Sequence, residues 1–182
     1  MKYFSSVLKF PTGFSEATRR GSLQRIKLSW FESIKKGIGW LCLRGGRNPI
    51  VVSVDKTIKL HAVRLFGSEN NEYSVIVKVT DSNGVAMATK TGMFMSKLVQ
   101  SETRDYQGFD IAFETPIALQ AGIQYSSEAS ISGPPSWYGQ DDLPGVEHGK
   151  VTFSFANTAG RAGWQETTVL TEQFPEFVFS VN

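Results

Sequence analysis

From residue 50 to the end, apolar and polar residues alternate in short runs, and this alternation restricts the chain to folds built from β-strands. Within residues 72–80, Tyr73 and three valines fall on one face and mostly polar residues fall on the other, as in a half-buried strand. A turn at residues 81–84 ends in Asn-Gly, so the next strand should fold back antiparallel. The predicted strands are 50–54, 58–66, 72–80, 85–90, 109–114, 123–131, 151–156 and 176–181, with a weaker one at 93–98.

Helical periodicity is not sustained along the sequence, apart from a short amphipathic piece around residues 28–38. No run approaches the roughly 18 apolar residues that a transmembrane helix needs. With 182 residues, 41% of them hydrophobic, the chain can bury the core of one domain. We therefore predict a single all-β domain over 28–182, an antiparallel β-sandwich or barrel. The residues predicted to face its core include Val75, Val77, Phe153, Phe155, Phe177 and Phe179.

The N-terminal stretch is basic. Residues 1–50 carry ten Lys and Arg against two acidic residues, whereas the rest of the chain carries nine against fifteen. We predict that residues 1–27 form a solvated, poorly ordered leader. Organelle targeting, or a contact of this arm with nucleic acid or a membrane surface, is the weaker alternative. The two arginines before Ser22 match what a basophilic kinase binds, which makes Ser22 a possible phosphorylation site.

Two irregular segments interrupt the strand pattern. Residues 132–145 contain three prolines and three glycines together with Trp137 and Tyr138, and residues 157–173 contain a glycine-flanked arginine and a tryptophan. This composition predicts loops. Large aromatic side chains in loops either cover an open end of a sandwich or bind a ligand, and both interpretations stay open here.

The sequence lacks the familiar catalytic and metal-binding patterns. Cys42 lies in an apolar run, the setting of an inert thiol, and His61 lies inside a predicted strand. Asp110 and Glu114 share a strand face at about 13 Å, too far apart for a glycosidase pair. One cysteine and two histidines do not make a closed zinc site. We predict a protein without enzymatic activity, cofactor or metal site.

Cysteine usage indicates the compartment. A single cysteine cannot close an internal disulfide, and the sequence contains no Asn-x-Ser/Thr glycosylation site. Both observations favour a reducing environment. We therefore expect an intracellular protein, in the cytoplasm.

Motifs spread over the strands resemble the PHR domain, the module shared by the Pam/Highwire giant ubiquitin ligases and by BTB-BACK adaptor proteins. The resemblance begins near Trp30, keeps the family's order, and is closer to the BTB-linked branch around residues 138–140. The most specific motifs are Ser53-Val54-Asp55-Lys56, Leu65-Phe66-Gly67-Ser68 with Tyr73, Ser132-Gly133-Pro134, Tyr138-Gly139-Gln140, Gly149-Lys150-Val151-Thr152-Phe153, and Pro175-Glu176.

The resemblance implies a jelly-roll-like antiparallel β-sandwich that acts as a non-catalytic protein-interaction module in ubiquitin-ligase assemblies. Rigid aromatic and arginine side chains would anchor its protein partner, and we expect the isolated domain to be a monomer. The alternative is a lectin-like jelly roll, in which the same aromatics stack on a sugar and Asp141 or Asp142 binds its hydroxyls. The predicted partner-binding residues, in loops at the ends of the sandwich, are Trp137, Tyr138, Gly139, Gln140, Arg161 and Trp164.

Overall fold

The computed structural model describes residues 24–27, 31–40, 47–100, 104–142, 144–156 and 171–181. The regular elements in these residues are β-strands, and none of these residues belongs to a helix able to cross a membrane. The strands are β1 (Gln24–Lys27), β2 (Phe31–Trp40), β3 (Arg47–Val54), β4 (Ile58–Phe66), β5 (Glu72–Thr80), β6 (Ala86–Met95), β7 (Lys97–Val99), β8 (Tyr106–Leu119), β9 (Gln124–Ser132), β10 (Ser136–Asp142), β11 (Gly145–His148), β12 (Val151–Ala156), β13 (Thr171–Glu172) and β14 (Glu176–Val181).

Two antiparallel sheets form a sandwich, which confirms the predicted fold. The six-stranded sheet has the order β11-β12-β3-β9-β5-β6, and the five-stranded sheet has the order β1-β14-β4-β8-β7. The predicted strands are found in these sheets with their ends moved by a few residues. The weak strand predicted at 93–98 is divided at Ser96, because β6 ends in one sheet and β7 begins in the other.

Strand alternation determines which face is buried. In β5, Tyr73 and Val75 are buried while Ser74 between them is exposed. Across the two sheets, the Phe153 ring lies 5.0 Å from the Phe179 ring and 6.5 Å from the Phe177 ring, measured between centroids. Each buried aromatic of this kind contributes about 1.5–3 kcal/mol. All six residues predicted to face the core are buried, so that prediction is confirmed.

Two of the motifs quoted above meet at one end of the sandwich. The Asp55 N–H donates to the Thr152 carbonyl at 3.1 Å, and the Thr152 N–H donates to Asp55 Oδ1 at 2.7 Å. The Lys56 ammonium also donates to the Lys150 carbonyl. The Thr152 N–H holds the pKa of the Asp55 carboxyl below its ordinary value. These contacts join the turn after β3 to the start of β12, across 97 positions of sequence.

A third sheet, with the order β13-β10-β2, corrects two predictions. The amphipathic piece predicted at 28–38 is not helical over residues 31–38, because these lie in strand β2, and residues 28–30 lie outside the described part of the chain. Residues 132–145 are not one loop, because β10 and the start of β11 follow a short turn after Ser132. The sequences of β2 and β10 do not alternate cleanly between apolar and polar residues. The two strands pair although they lie about a hundred positions apart in sequence, so only the tertiary structure reveals them. The placement of the predicted site in loops is therefore wrong for residues 137–140.

The structure describes only the last few residues of the second predicted loop and of the predicted leader. Near the end of the second predicted loop, residues 171–172 form strand β13. Residues 157–170 lie outside the described part of the chain. Strand β1 lies within the predicted leader and pairs with β14, with Lys27 opposite Glu176. Residues 1–23, including Ser22, lie outside the described part, and the poorly ordered leader stays a prediction.

Candidate functional site

Strand β10 is the middle strand of the third sheet, with β2 on one side and β13 on the other. Its Gly139 pairs with Ile34 of β2 and with Glu172 of β13. The register with β2 shifts between Ser136 and Tyr138. Trp137 therefore lies at an irregularity of the ladder, a feature that re-aims side chains.

A buried glutamine fixes the start of β10. Nε2 of Gln173 donates to the Trp137 carbonyl at 3.1 Å, and Ser136 Oγ donates to Gln173 Oε1 at 3.2 Å. The Gln173 carbonyl in turn accepts the Phe66 N–H at 3.1 Å, which ties the segment to β4. A buried amide costs free energy unless it is paired. These bonds therefore hold the Trp137 backbone in one position.

The motif at residues 65–68 supplies a second anchor. The Trp137 N–H donates to the Gly67 carbonyl at 2.9 Å. Gly67 is closely packed, because a Cβ at this position would lie 2.3 Å from Ser96 Oγ. A side chain at residue 67 would push neighbouring groups away, and with them the carbonyl that holds Trp137.

Tyr73 of the same motif and the motif at residues 132–134 converge on the same place. Tyr73 donates its hydroxyl to the Pro135 carbonyl at 3.4 Å, and that hydroxyl lies 2.7 Å from Ser68 Oγ. Gly133 packs on the Tyr73 ring, where a Cβ would lie 2.6 Å from Cδ1. The residues that carry the family resemblance thus determine where β10 begins.

The exposed part of β10 combines aromatic and cationic side chains. Trp137, Tyr138 and Gln140 are half-buried. The Lys36 ammonium of β2 lies 4.8 Å from the Trp137 ring centroid, a cation–π contact of about 0.5–1 kcal/mol at an exposed site. Lys35, opposite Tyr138 in the ladder, is exposed as well. We name this set the β10 surface; it consists of Lys35, Lys36, Trp137, Tyr138 and Gln140.

The chemistry of the β10 surface comes from its aromatic and cationic side chains. Among the described residues, no group of three or more His, Cys, Asp or Glu side chains is placed to hold a metal ion. His61 is hydrogen-bonded to Ser180, with 2.8 Å between Nε2 and Oγ. Trp137 with the nearby Lys36 ammonium, and Tyr138 with its ladder partner Lys35, each place an aromatic residue and a cationic residue in the same part of the sheet.

The structure brings together Trp137, Tyr138, Gly139 and Gln140, with Gly139 buried in the ladder. Arg161 and Trp164 lie outside the described residues, so their membership of the site stays a prediction. Sequence reasoning missed Lys35 and Lys36, because the pattern at 28–38 favours a helical piece. The sequence of residues 31–40 has no clean period of two, so local pattern gave no signal for a strand there.

The fold and its small third sheet define an all-β sandwich domain. A family model described as the PHR domain matches residues 29–180, and the chain belongs to this family. The resemblance found in the motifs is therefore confirmed.

Curated relatives place the chain in the BTB-linked branch. It is 27% identical over 180 residues to BTB/POZ domain-containing protein 6-A of Danio rerio, which covers 97% of this chain and 32% of that protein. It is 32% identical over 139 residues to BTB/POZ domain-containing protein 6-B of Danio rerio, which covers 75% of this chain and 27% of that protein. It is 30% identical over 139 residues to BTB/POZ domain-containing protein 6 of Homo sapiens, which covers 75% of this chain and 24% of that protein. The chain thus spans about a quarter to a third of the length of these relatives.

Proposed function

We propose that this PHR domain is a non-catalytic protein-interaction module that recruits a protein partner through the β10 surface. The observation that carries the proposal is the fixation of the Trp137 backbone by both Gln173 and Gly67, with its ring left half-buried. Preorganised aromatic side chains lose little entropy on binding, and they dominate interface energies. Arg161 and Trp164 are proposed as a second, weaker part of the site.

Family membership supports this function. The relatives are named as BTB/POZ domain-containing proteins, and the resemblance implies interaction modules in ubiquitin-ligase assemblies. On this proposal, the domain supplies partner binding to such an assembly. The β10 surface supplies the contact.

The experiment compares partner capture by the wild-type chain and by Trp137→Ala. Both tagged proteins are used in affinity purification with quantitative mass spectrometry, and Val85→Ala is the control because Val85 is 61% exposed elsewhere on the domain. We expect the specific partners of the wild type to be retained by the control and reduced at least about tenfold by Trp137→Ala. Equal capture by all three proteins would contradict the proposal.

A glycan array distinguishes the lectin-like alternative from protein binding. Glycan binding by the wild type that is lost in Trp137→Ala would favour a carbohydrate ligand over a protein. Thermal unfolding of each variant shows whether the fold is intact. Surface substitutions of this kind usually change stability by less than about 0.5 kcal/mol.

A further inference from the structure

The turn between β5 and β6 carries the pair Asn83-Gly84 at the tip of a hairpin. Both residues are exposed, and no atom beyond the chain neighbours lies within 4 Å of the position that a Cβ of Gly84 would take. Gly84 has a φ of 78°, which glycine adopts without strain. This part of the main chain is therefore open to solvent.

Asp81 organises the turn. Its Oδ1 accepts the Asn83 N–H at 2.9 Å and the Val85 N–H at 2.8 Å, and its carbonyl accepts the Gly84 N–H at 3.0 Å. Its own N–H donates to the Val85 carbonyl at 3.0 Å. These bonds use main-chain groups of the turn. The side-chain amide of Asn83 makes no hydrogen bond to another described residue.

An asparagine that precedes glycine can lose its amide without an enzyme. The main-chain nitrogen of the next residue attacks Cγ of the asparagine, and ammonia leaves as a five-membered succinimide ring closes. Water then opens the ring at either carbonyl, so the product is aspartate or isoaspartate. A side chain on the next residue hinders this attack, whereas glycine allows the close approach.

The other described asparagines lack this combination. Asn48 is 5% exposed, its Nδ2 donates to a main-chain carbonyl, and the nitrogen of Pro49 after it carries no proton. Asn71 donates from Nδ2 to two neighbouring groups and precedes Glu72. Asn70 is exposed, but it precedes Asn71, whose side chain hinders the attack. Asn83 is therefore the most reactive of the four.

One contact opposes the reaction. The Gly84 nitrogen must leave its hydrogen bond to the Asp81 carbonyl before it attacks. Exposed turns open locally at a much lower free energy than the core strands that they join. The turn should therefore react more slowly than a free peptide of the same sequence, but faster than the other described asparagines.

We propose that Asn83 is a site of spontaneous deamidation, at which the Gly84 nitrogen displaces ammonia and water then yields isoaspartate as the main product. Isoaspartate continues the main chain through its side-chain carbon, so the turn gains one main-chain atom and a carboxylate close to that of Asp81. The two negative charges repel each other. The site is separate from the β10 surface and stands without the function proposed there.

The product has a defined chemistry for a partner enzyme. Isoaspartate-specific methyltransferases transfer a methyl group from S-adenosylmethionine to the carboxylate of isoaspartate. An exposed hairpin tip gives such an enzyme access to the main chain. The aged domain should therefore be a substrate of this class of enzyme, whereas the freshly made domain should not.

The test is incubation of the whole chain at mildly alkaline pH and body temperature. Peptide mapping by mass spectrometry, with chromatography that separates aspartate from isoaspartate, follows each asparagine with time. We expect the peptide containing Asn83 to convert first and to yield mainly isoaspartate. A synthetic peptide of residues 79–87 is the reference and should convert faster, because it has no folded turn to open.

Two matched variants complete the test. Asn83→Gln keeps an amide but requires a larger ring, so the aged variant should lose methylation of this peptide by an isoaspartate-specific methyltransferase. Asn70→Gln makes the same change at the other exposed asparagine and should leave that methylation unchanged. Methylation of this peptide in aged Asn83→Gln at the wild-type level would overturn the proposal.

Three results of the peptide mapping would overturn it as well. They are conversion of Asn70 or Asn71 before Asn83, aspartate as the only product at Asn83, and an intact Asn83 after the free peptide has reacted completely. Amide exchange of Val85 tests the lengthened turn. It should be faster in the aged protein than in Asn83→Asp, which adds the charge without the extra atom. Equal exchange in the two proteins would contradict the isoaspartate product.

Discussion

Arg64 and Glu176 form a buried ion pair, with 2.5 Å between Nη1 and Oε2 and with each side chain 5% exposed. The two residues are 112 positions apart in sequence and join β4 to the first residue of β14. Asp110 of β8 completes the cluster. Three neighbouring strands of the five-stranded sheet are thus linked by one guanidinium.

Replacement of Arg64 by Met should destabilise the domain by about 3–5 kcal/mol, because it leaves the Glu176 carboxylate buried without its partner. Urea unfolding of the variant and the wild type measures the difference. The double variant Arg64→Met with Glu176→Met should recover part of the loss, since no unpaired charge then remains on Glu176. A single variant as stable as the wild type would show that the ion pair is not important for stability.

Phe153→Ala should cost about 3–5 kcal/mol, because the ring is fully buried between the two sheets against Phe177 and Phe179. The free energy of unfolding is the quantity to measure. Val85→Ala, at an exposed position, should change it by less than about 0.5 kcal/mol. Similar small changes in both variants would contradict the packing of this core.

Asp55 should contribute to the loss of stability of the domain at acidic pH. Its pKa is lowered in the folded state, so its contribution to stability is full above the unfolded pKa and is lost as pH falls through the folded one. Asp55→Asn should therefore reduce the stability difference between about pH 6 and pH 3. Urea unfolding at the two pH values checks this. An unchanged difference in Asp55→Asn would assign the acid sensitivity to other groups.

Gly133→Ala should destabilise the domain by about 1–3 kcal/mol, because the added methyl group would overlap the Tyr73 ring and approach the Glu72 carbonyl at 3.1 Å. It should also reduce capture of the β10 partner, since Tyr73 bonds to Pro135 just before that strand. Thermal unfolding and the capture assay measure the two effects. Wild-type values in both assays would show that the site tolerates a side chain here.

Two N-terminal deletions should behave differently. Removal of residues 1–23 should leave the melting temperature nearly unchanged if they form the predicted leader. Removal of residues 1–27 also deletes β1 and uncovers the edge of β14, so we expect a lower melting temperature. Calorimetry compares the two. A large loss in the shorter deletion would mean that the leader packs on the sandwich.

Much of the fold could be predicted from local pattern. In β5 and β12 the alternation of side chains identifies the buried face, because a strand with one face in the core needs apolar residues at every second position. Gly84 ends the turn after β5 with a φ of 78°, a conformation that glycine adopts without strain. The motifs were sufficient to indicate the family, which the match over residues 29–180 confirms.

The tertiary structure alone decided the form of the candidate site and of the buried ion-pair cluster. Trp137 and Tyr138 stand in a segment rich in proline and glycine. This segment forms a strand because β2 pairs with it between Ser136 and Asp142 and β13 pairs with it at Gly139 and Gln140. The ion-pair cluster consists of Arg64, Asp110 and Glu176, which pair only after three strands meet. Alternation is a local property that sequence displays directly. Strand pairing and charge clusters join distant residues, so the physical contacts that determine them arise only when the chain has folded.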